Sequence, residues 1–265
     1  MTYTNKLKNT MKQTYTDKSI IIMNFSGVYK EEPFASNPRF THLDCSHLHG
    51  TDCYCDAEGA KSIQNIIAPY PAEGIHFIDS GDYHYVTKFW TDKINKPFSL
   101  VLFDHHTDMQ PSRWGEMLSC GGWVKDIADN NKLLRRIYLL GISKEQAASI
   151  PAGYKGRVIA VTEEKLHAYI EGSKTLLTDT PLYISIDKDV LDTKSAYTNW
   201  NQGSLTLDDL KRLLSLIMKR GEIIGIDICG ECPVTLRLFT PDSPLAIDNK
   251  ANRELLNLFR QQGLC

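Results

Sequence analysis

Short apolar runs, separated by stretches of helical periodicity, constrain this chain more than any other feature. They are SIIIMNF (19–25), IHFIDS (75–80), FSLVLF (98–103), RIYLLGI (136–142), RVIAVT (157–162), PLYISI (181–186) and EIIGIDIC (222–229). Each is short and nearly continuous in apolar character, which suits a strand buried on both faces. Strands that alternate with helices build βα units, and βα units feed a parallel sheet with helices on both sides. The pattern therefore predicts an α/β fold with at least seven strands.

Between the last two runs, Leu207, Leu210, Leu213, Leu214, Ile217 and Met218 recur at helical spacing. Thr206 precedes them as an N-cap, and Lys219, Arg220 and Gly221 supply the stop. A second amphipathic helix is expected after Asp248, with Leu255, Leu258 and Phe259 turned inward. Residues 26–57, rich in Pro, His and Cys, read as long loops. No linker divides the 265 residues, so residues 19–265 are expected to form a single α/β domain behind a flexible polar lead, residues 1–18. That lead lacks the apolar core of a secretory signal, and no run reaches transmembrane length. A net charge of -2 gives no basic excess to suggest nucleic acid or an anionic membrane. Seven cysteines, an odd number, fit reduced thiols better than a disulfide framework. A cytoplasmic protein with a small-molecule substrate is the expectation.

The chemistry gathers where two of the strands end. FDHHTDMQ (103–110) follows one apolar run, and SIDKDVLD (185–192) closes another. Residues two apart share a face of a strand, so Asp104, His106 and Asp108 are expected to converge while His105 and Thr107 point elsewhere. Asp187 and Asp189 stand in the same relation. Either motif alone reads as an ordinary acidic turn. Together they bring four carboxylates and an imidazole to adjoining strand ends, where they would repel one another unless cations sat among them. Oxygen donors with a minority of imidazole suit Mn²⁺ or a similar divalent ion, and the pattern points to a two-metal site. Two such ions roughly 3.5–4 Å apart lower the pKa of a bridging water, giving a hydroxide nucleophile.

With GIDICGECP (225–233), these motifs resemble the three signature regions of the ureohydrolase family, which includes arginase, agmatinase and formiminoglutamase. The resemblance implies a three-layer α-β-α domain with a mostly parallel sheet of about eight strands. It also implies two Mn²⁺ ions and hydrolysis of linear C–N bonds in guanidino or amidino compounds. On the family pattern the metal ligands fall on Asp104, His106, Asp108, Asp187 and Asp189. The remaining ligand, a histidine in a GGDH stretch, corresponds to His84 in DSGDYHY (79–85), with one residue more after the aspartate. Asp108 would be both ligand and proton relay, and Asp227 would support ligands rather than be one. Gln110 lies where arginases bind the amino-acid end of the substrate. TNWNQGS (198–204) would form a pocket wall, with Arg113, Trp114 and Trp200 at its mouth.

Two positions depart from the family. Arginases carry a proton-shuttling histidine before a glycine; the matching stretch here is LSCGGW, which makes Cys120 the candidate for that step. Members with guanidino substrates place a glutamate three residues after the aspartate of the third motif. That slot is Gly230 here, and Glu231 follows one later. The shift turns the Glu231 carboxylate away, unless a bulge at Gly230 returns it to bind substrate and act in catalysis. A single-metal, deacetylase-like amidohydrolase and an inactive ligand-binding homologue are the alternatives, and trimers or hexamers are common among the resembling enzymes. Cys45, His47, His49, Cys53 and Cys55 do not follow a regular structural zinc spacing, and Cys229 and Cys232 are not placed as a thioredoxin-like redox pair.

Overall fold

All seven apolar runs form strands of one sheet. The structure, a computed structural model, describes residues 20–112, 115, 117–176, 179–237 and 243–265. The lead 1–18, Arg113 and Trp114 lie outside the described residues. In chain order the elements begin with β1 (Ile20–Asn24), β2 (Thr41–Asp44), β3 (Tyr54–Cys55), α1 (Ala57–Ile67), β4 (Gly74–Ile78) and α2 (Val86–Thr91). They continue with β5 (Phe98–Phe103), β6 (Leu118–Ser119), α3 (Trp123–Asn130), β7 (Leu134–Ile142), α4 (Lys144–Ser149), β8 (Val158–Thr162) and α5 (Glu163–Ile170). The last are β9 (Leu182–Asp187), α6 (Leu207–Met218), β10 (Ile223–Cys229), α7 (Val234–Arg237) and α8 (Pro244–Gln261).

The main sheet has eight strands in the order β2-β1-β4-β10-β9-β5-β7-β8, and every neighbouring pair is parallel. Strand alternation sorts its side chains into two cores. Met23, Ile78, Leu100, Leu102, Leu139 and Tyr183 pack with α1, α2 and α3 through Ile63, Phe89, Trp90, Trp123 and Ile127. Ile22, Phe77, Val101, Phe103, Ile184, Ile186 and Ile228 pack on the other face against Leu166 of α5, Leu210 and Leu214 of α6, and Leu255 and Phe259 of α8. This is the expected three-layer arrangement.

Two expectations need correction. Residues 26–57 are not all loop: they contain β2, the eighth strand, and β3, which pairs antiparallel with β6. In β2 only Leu43 is buried, with His42 and Asp44 exposed, so this edge strand has no apolar run to betray it. The last helix begins at Pro244 rather than after Asp248; Ser243 caps it by accepting from the Ala246 N–H, with proline in the first turn. Thr206 caps α6 as expected, accepting from the Asp209 N–H at 3.1 Å.

The chain enters near one edge, crosses to build the other, and returns to finish β9 and β10 in the middle. The carboxyl ends of β4, β10, β9 and β5 thus stand side by side, the position where open α/β sheets bind ligands.

Candidate metal centre

Register across the four central strands assembles this site. β5 pairs with β9 so that Phe103 opposes Ile186, which sets Asp104 beside Asp187. β9 pairs with β10 so that Ser185 opposes Asp227 and Asp187 opposes Cys229. Opposed residues of parallel strands share a face, so these five side chains gather on the side covered by α1 to α3. Lys188, one residue on, turns to the other face.

Beyond β5 the convergence comes from the loop rather than from strand alternation. Asp104 lies just past the strand, and Asp108 adopts a left-handed backbone with φ 49°. That turn sends the Asp108 carbonyl to the start of α3, where the N–H groups of Val124 and Lys125 donate to it at 3.0 and 3.3 Å. Its carboxylate returns to the cluster and accepts from Trp123 Nε1 at 2.7 Å. His105 points away, as expected, with Nδ1 3.5 Å from Glu163 Oε1 at the start of α5.

His84 arrives from the turn after β4, where a 3₁₀ turn at Gly81–Tyr83 takes up the additional residue. Asp79 organises this turn, accepting from the Phe25, Ser26 and Ser80 N–H groups and the Ser26 hydroxyl at 2.6–2.8 Å. His84 Nδ1 lies 3.4 Å from Asp104 Oδ2, 3.1 Å from Asp108 Oδ2 and 3.3 Å from Asp187 Oδ2. His106 Nδ1 lies 2.8 Å from Asp189 Oδ2 and 3.6 Å from Asp104 Oδ1. The structure therefore brings together all six candidate ligands. Two donor groups, His84/Asp104/Asp108 and Asp104/His106/Asp189, share Asp104.

The other ring nitrogen of His84 is also held. Nε2 is 2.9 Å from Ser185 Oγ, which donates to Asp227 Oδ1 at 2.5 Å. Because the Ser185 proton goes to Asp227, its oxygen accepts from Nε2–H; burial works to lower His84, but Cys229 and hydrogen bonds to Asp108 and Asp187 raise it, so Nδ1 is the nitrogen that holds a proton in the metal-free cluster and would yield it to a cation. The expected supporting role of Asp227 is thus exerted through Ser185. Ser185 and Trp123 escaped the sequence reading, although Ser185 sits two residues before Asp187 and shares its face.

Electrostatics show what such a cluster needs. Burial, with the charges of Asp108 and Asp189, pushes the Asp104 carboxyl well above the usual carboxylate range. Burial and the Asp187 charge push Asp189 up to about 6, against the hydrogen bond of His106. For His106 burial acts downward, but its hydrogen bonds to Asp104 and Asp189 prevail and raise it to about 11. Carboxyls that hold protons and imidazoles that gain them mark a site short of positive charge. His84 Nδ1 and Asp104 Oδ2 are both buried without a hydrogen-bond partner. Such orphaned atoms, facing each other within a carboxylate-rich donor set, fit divalent cations.

The cluster forms the floor of a cavity of about 360 Å³, walled by Cys53, Tyr54, Gln110, Ser119, Cys120 and Trp200. Gln110 and Trp200 line this cavity, and Asp82 fixes the Trp200 ring by accepting from Nε1 at 3.0 Å.

Glu231 and Cys120 need correction. Gly230 has φ 91°, and a Cβ there would lie 2.7 Å from Asp187 Oδ1. The chain turns at this glycine and carries Glu231 to the other side of the sheet rather than back to the cavity. There Glu231 Oε2 meets the buried Lys188 Nζ at 2.7 Å, and Oε1 accepts from Asn252 Nδ2 at 2.8 Å. It touches neither cavity nor ligands. Cys120 does line the cavity, but its contact with Cys53, burial and the Asp108 charge push the thiol far up. A thiol so raised releases its proton less readily than an imidazole and is no simple replacement for a shuttling histidine. Among the described residues, no metal-compatible donor group includes Cys45, His47, His49 or Cys55.

The sequence profile of the arginase family matches residues 74–234, from β4 through the turn after β10. The chain belongs to the arginase family. An uncharacterized protein of Thermotoga maritima is 31% identical over 212 residues, covering 80% of this chain and 79% of its own. Among solved structures, the proclavaminate amidino hydrolase of Streptomyces clavuligerus aligns over 95% of this arginase-family chain and 94% of its own, with a TM-score of 0.68 at 14% identity. A triple mutant of the T. brucei arginase-like protein, bound with Mn²⁺, aligns over 91% and 90% with a TM-score of 0.60 at 16% identity.

Proposed function

We propose that this arginase-family chain is a binuclear metal-dependent hydrolase of a linear C–N bond in guanidino or amidino compounds, with Mn²⁺ the first cation to test. One observation carries the reading: two donor groups sharing Asp104, with orphaned His84 Nδ1 and Asp104 Oδ2, form the floor of a cavity at the central strand ends. The Mn²⁺-bound arginase-like protein supports the cation, and the amidino hydrolase supports the substrate class.

His84, Asp104, Asp108 and Asp187 would hold one ion and Asp104, His106 and Asp189 the other. When bound, divalent ions there would lower the pKa of bound water and so supply a nucleophile for the amidine carbon. The remaining work belongs to the chain. Asp227 and Ser185 keep the His84 ring in one tautomer. Trp123 Nε1 fixes the Asp108 carboxylate, which is placed to take a proton from the attacking water and return it to the leaving amine. Gln110 offers an amide to the polar end of the substrate, and Tyr54 and Trp200 form apolar walls. Among the described residues lining the cavity, the only carboxylates are those of the ligand cluster. A guanidinium thus finds no counter-charge there beyond the ligands, so the guanidino members of the test panel, free arginine included, are expected to turn over less readily than the formimino member.

The test is metal content after purification without chelator, then an assay with Mn²⁺ for urea or ammonia release. The panel is arginine, agmatine, guanidinobutyrate, formiminoglutamate and peptide-bound arginine. Two ions per chain and turnover of any member support the reading; failure to retain any divalent ion after loading refutes it.

A further inference from the structure

Cys229 is the last residue of β10, and the register that opposes it to Asp187 points its thiol at the ligand cluster. It is fully buried, yet its polar contact is a carboxylate: Sγ donates to Asp187 Oδ2 at 3.2 Å. That same oxygen lies 3.3 Å from the orphaned His84 Nδ1. His84, Asp187 and Cys229 form a donor group of their own, with all three ligand atoms within 4.8 Å of one another.

We propose that Cys229 ligates the ion held by His84 and Asp187, so that this position selects Zn²⁺ or Co²⁺ over Mn²⁺. The inference rests on the reading of the cluster as a metal centre. A sulfur at about 2.3 Å and an oxygen at about 2.0–2.2 Å from one ion stand about 3.0–3.7 Å apart at right-angled to tetrahedral geometry. The observed 3.2 Å falls within that span. Gly230 leaves the room: a side chain there would strike Asp187, and the turn at this glycine removes Glu231.

On binding, the thiol loses its proton to solvent and a sulfur lone pair forms the bond to the ion. Thiolate and imidazole favour Zn²⁺ and Co²⁺, whereas the Asp104/His106/Asp189 group has oxygen donors and one imidazole and suits Mn²⁺. The two positions therefore differ by one thiolate, and that donor is what biases the His84 position toward Zn²⁺ or Co²⁺.

The test is titration of the metal-free full chain with Co²⁺, followed in the near ultraviolet. The expected result is a sulfur-to-cobalt charge-transfer band that is lost in Cys229→Ser and kept in Cys232→Ala and Cys120→Ala. Competition should show the preference for Zn²⁺ over Mn²⁺ narrowing at least about tenfold in Cys229→Ser. If that variant does not fold, X-ray absorption of the wild type with one equivalent of Zn²⁺ decides: a sulfur neighbour at about 2.3 Å supports the ligand, and nitrogen and oxygen alone overturn it. Two equivalents of Co²⁺ bound without the band would overturn the role of Cys229 and leave the metal centre standing. No uptake of Co²⁺, Zn²⁺ or Mn²⁺ would refute the centre itself, and with it this inference.

Discussion

Gly230 decides the fate of both its neighbours, leaving Cys229 beside Asp187 and sending Glu231 to a buried cluster with Lys188 and Asp248. Glu231→Ala should therefore strip a buried ammonium of its nearest partner and lower stability by about 3–5 kcal/mol. Urea unfolding would measure this; a normal midpoint with a raised KM would instead return Glu231 to the cavity. Ser185→Ala breaks the link from Asp227 to His84 and should weaken metal binding by about 10–100-fold. Calorimetric titration with Mn²⁺ checks it, and unchanged affinity would remove the tautomer argument. At this scale the sequence was legible where chemistry resides in residue type and close spacing, as in Asp104, His106, Asp108, Asp187 and Asp189. It was opaque where contacts depend on register between distant strands. Ser185 and Asp227 are 42 positions apart, as are Asp187 and Cys229, and neither pair has a local signature.

Among the elements, strands buried on both faces announced themselves by composition, and all seven runs are in the sheet. β2 did not, because an edge strand with one buried side chain needs no apolar period. The start of α8 lies five residues before the expected one, since its signal is the Ser243–Pro244 cap rather than the periodic face behind it. Thr206 of α6 was readable because a capping hydroxyl and the apolar repeat lie together in sequence. Thr206→Ala should lower stability by about 1 kcal/mol, read by denaturant midpoint, while metal affinity stays unchanged. A loss of metal would mean that α6 transmits strain to the centre.

For the whole molecule, the buried charges make stability depend on pH, with opposite trends for the metal-free and metal-loaded protein. Burial raises Asp189, Asp227 and Asp248 to about 6, and carboxylate partners raise His106 to about 11 against burial. A group raised on folding stabilises fully below its unfolded pKa, about 3.9 for Asp and 6.5 for His, and loses that share as pH passes its folded value. Asp187 runs the other way: burial works to raise it, but the hydrogen bond and charge of His84 overcome this and lower it. The metal-free protein should thus melt at progressively lower temperature from about pH 5 to about pH 9. With metal bound the ligands must shed protons, so melting temperature should rise from about pH 5 to about pH 7. Thermal melts with chelator and with Mn²⁺ compare the two; parallel curves would mean that the cluster does not hold the cation.

The two halves of the ligand set are far apart along the chain. His106 and Asp189 meet across 83 positions, and between them the chain goes out to the edge of the sheet at β8 and comes back. An ion joining them would close a long loop and so act as a reversible cross-link as well as a chemical centre. Its removal should loosen the turns that follow β5 and β9, whose strands stay paired, and speed global unfolding.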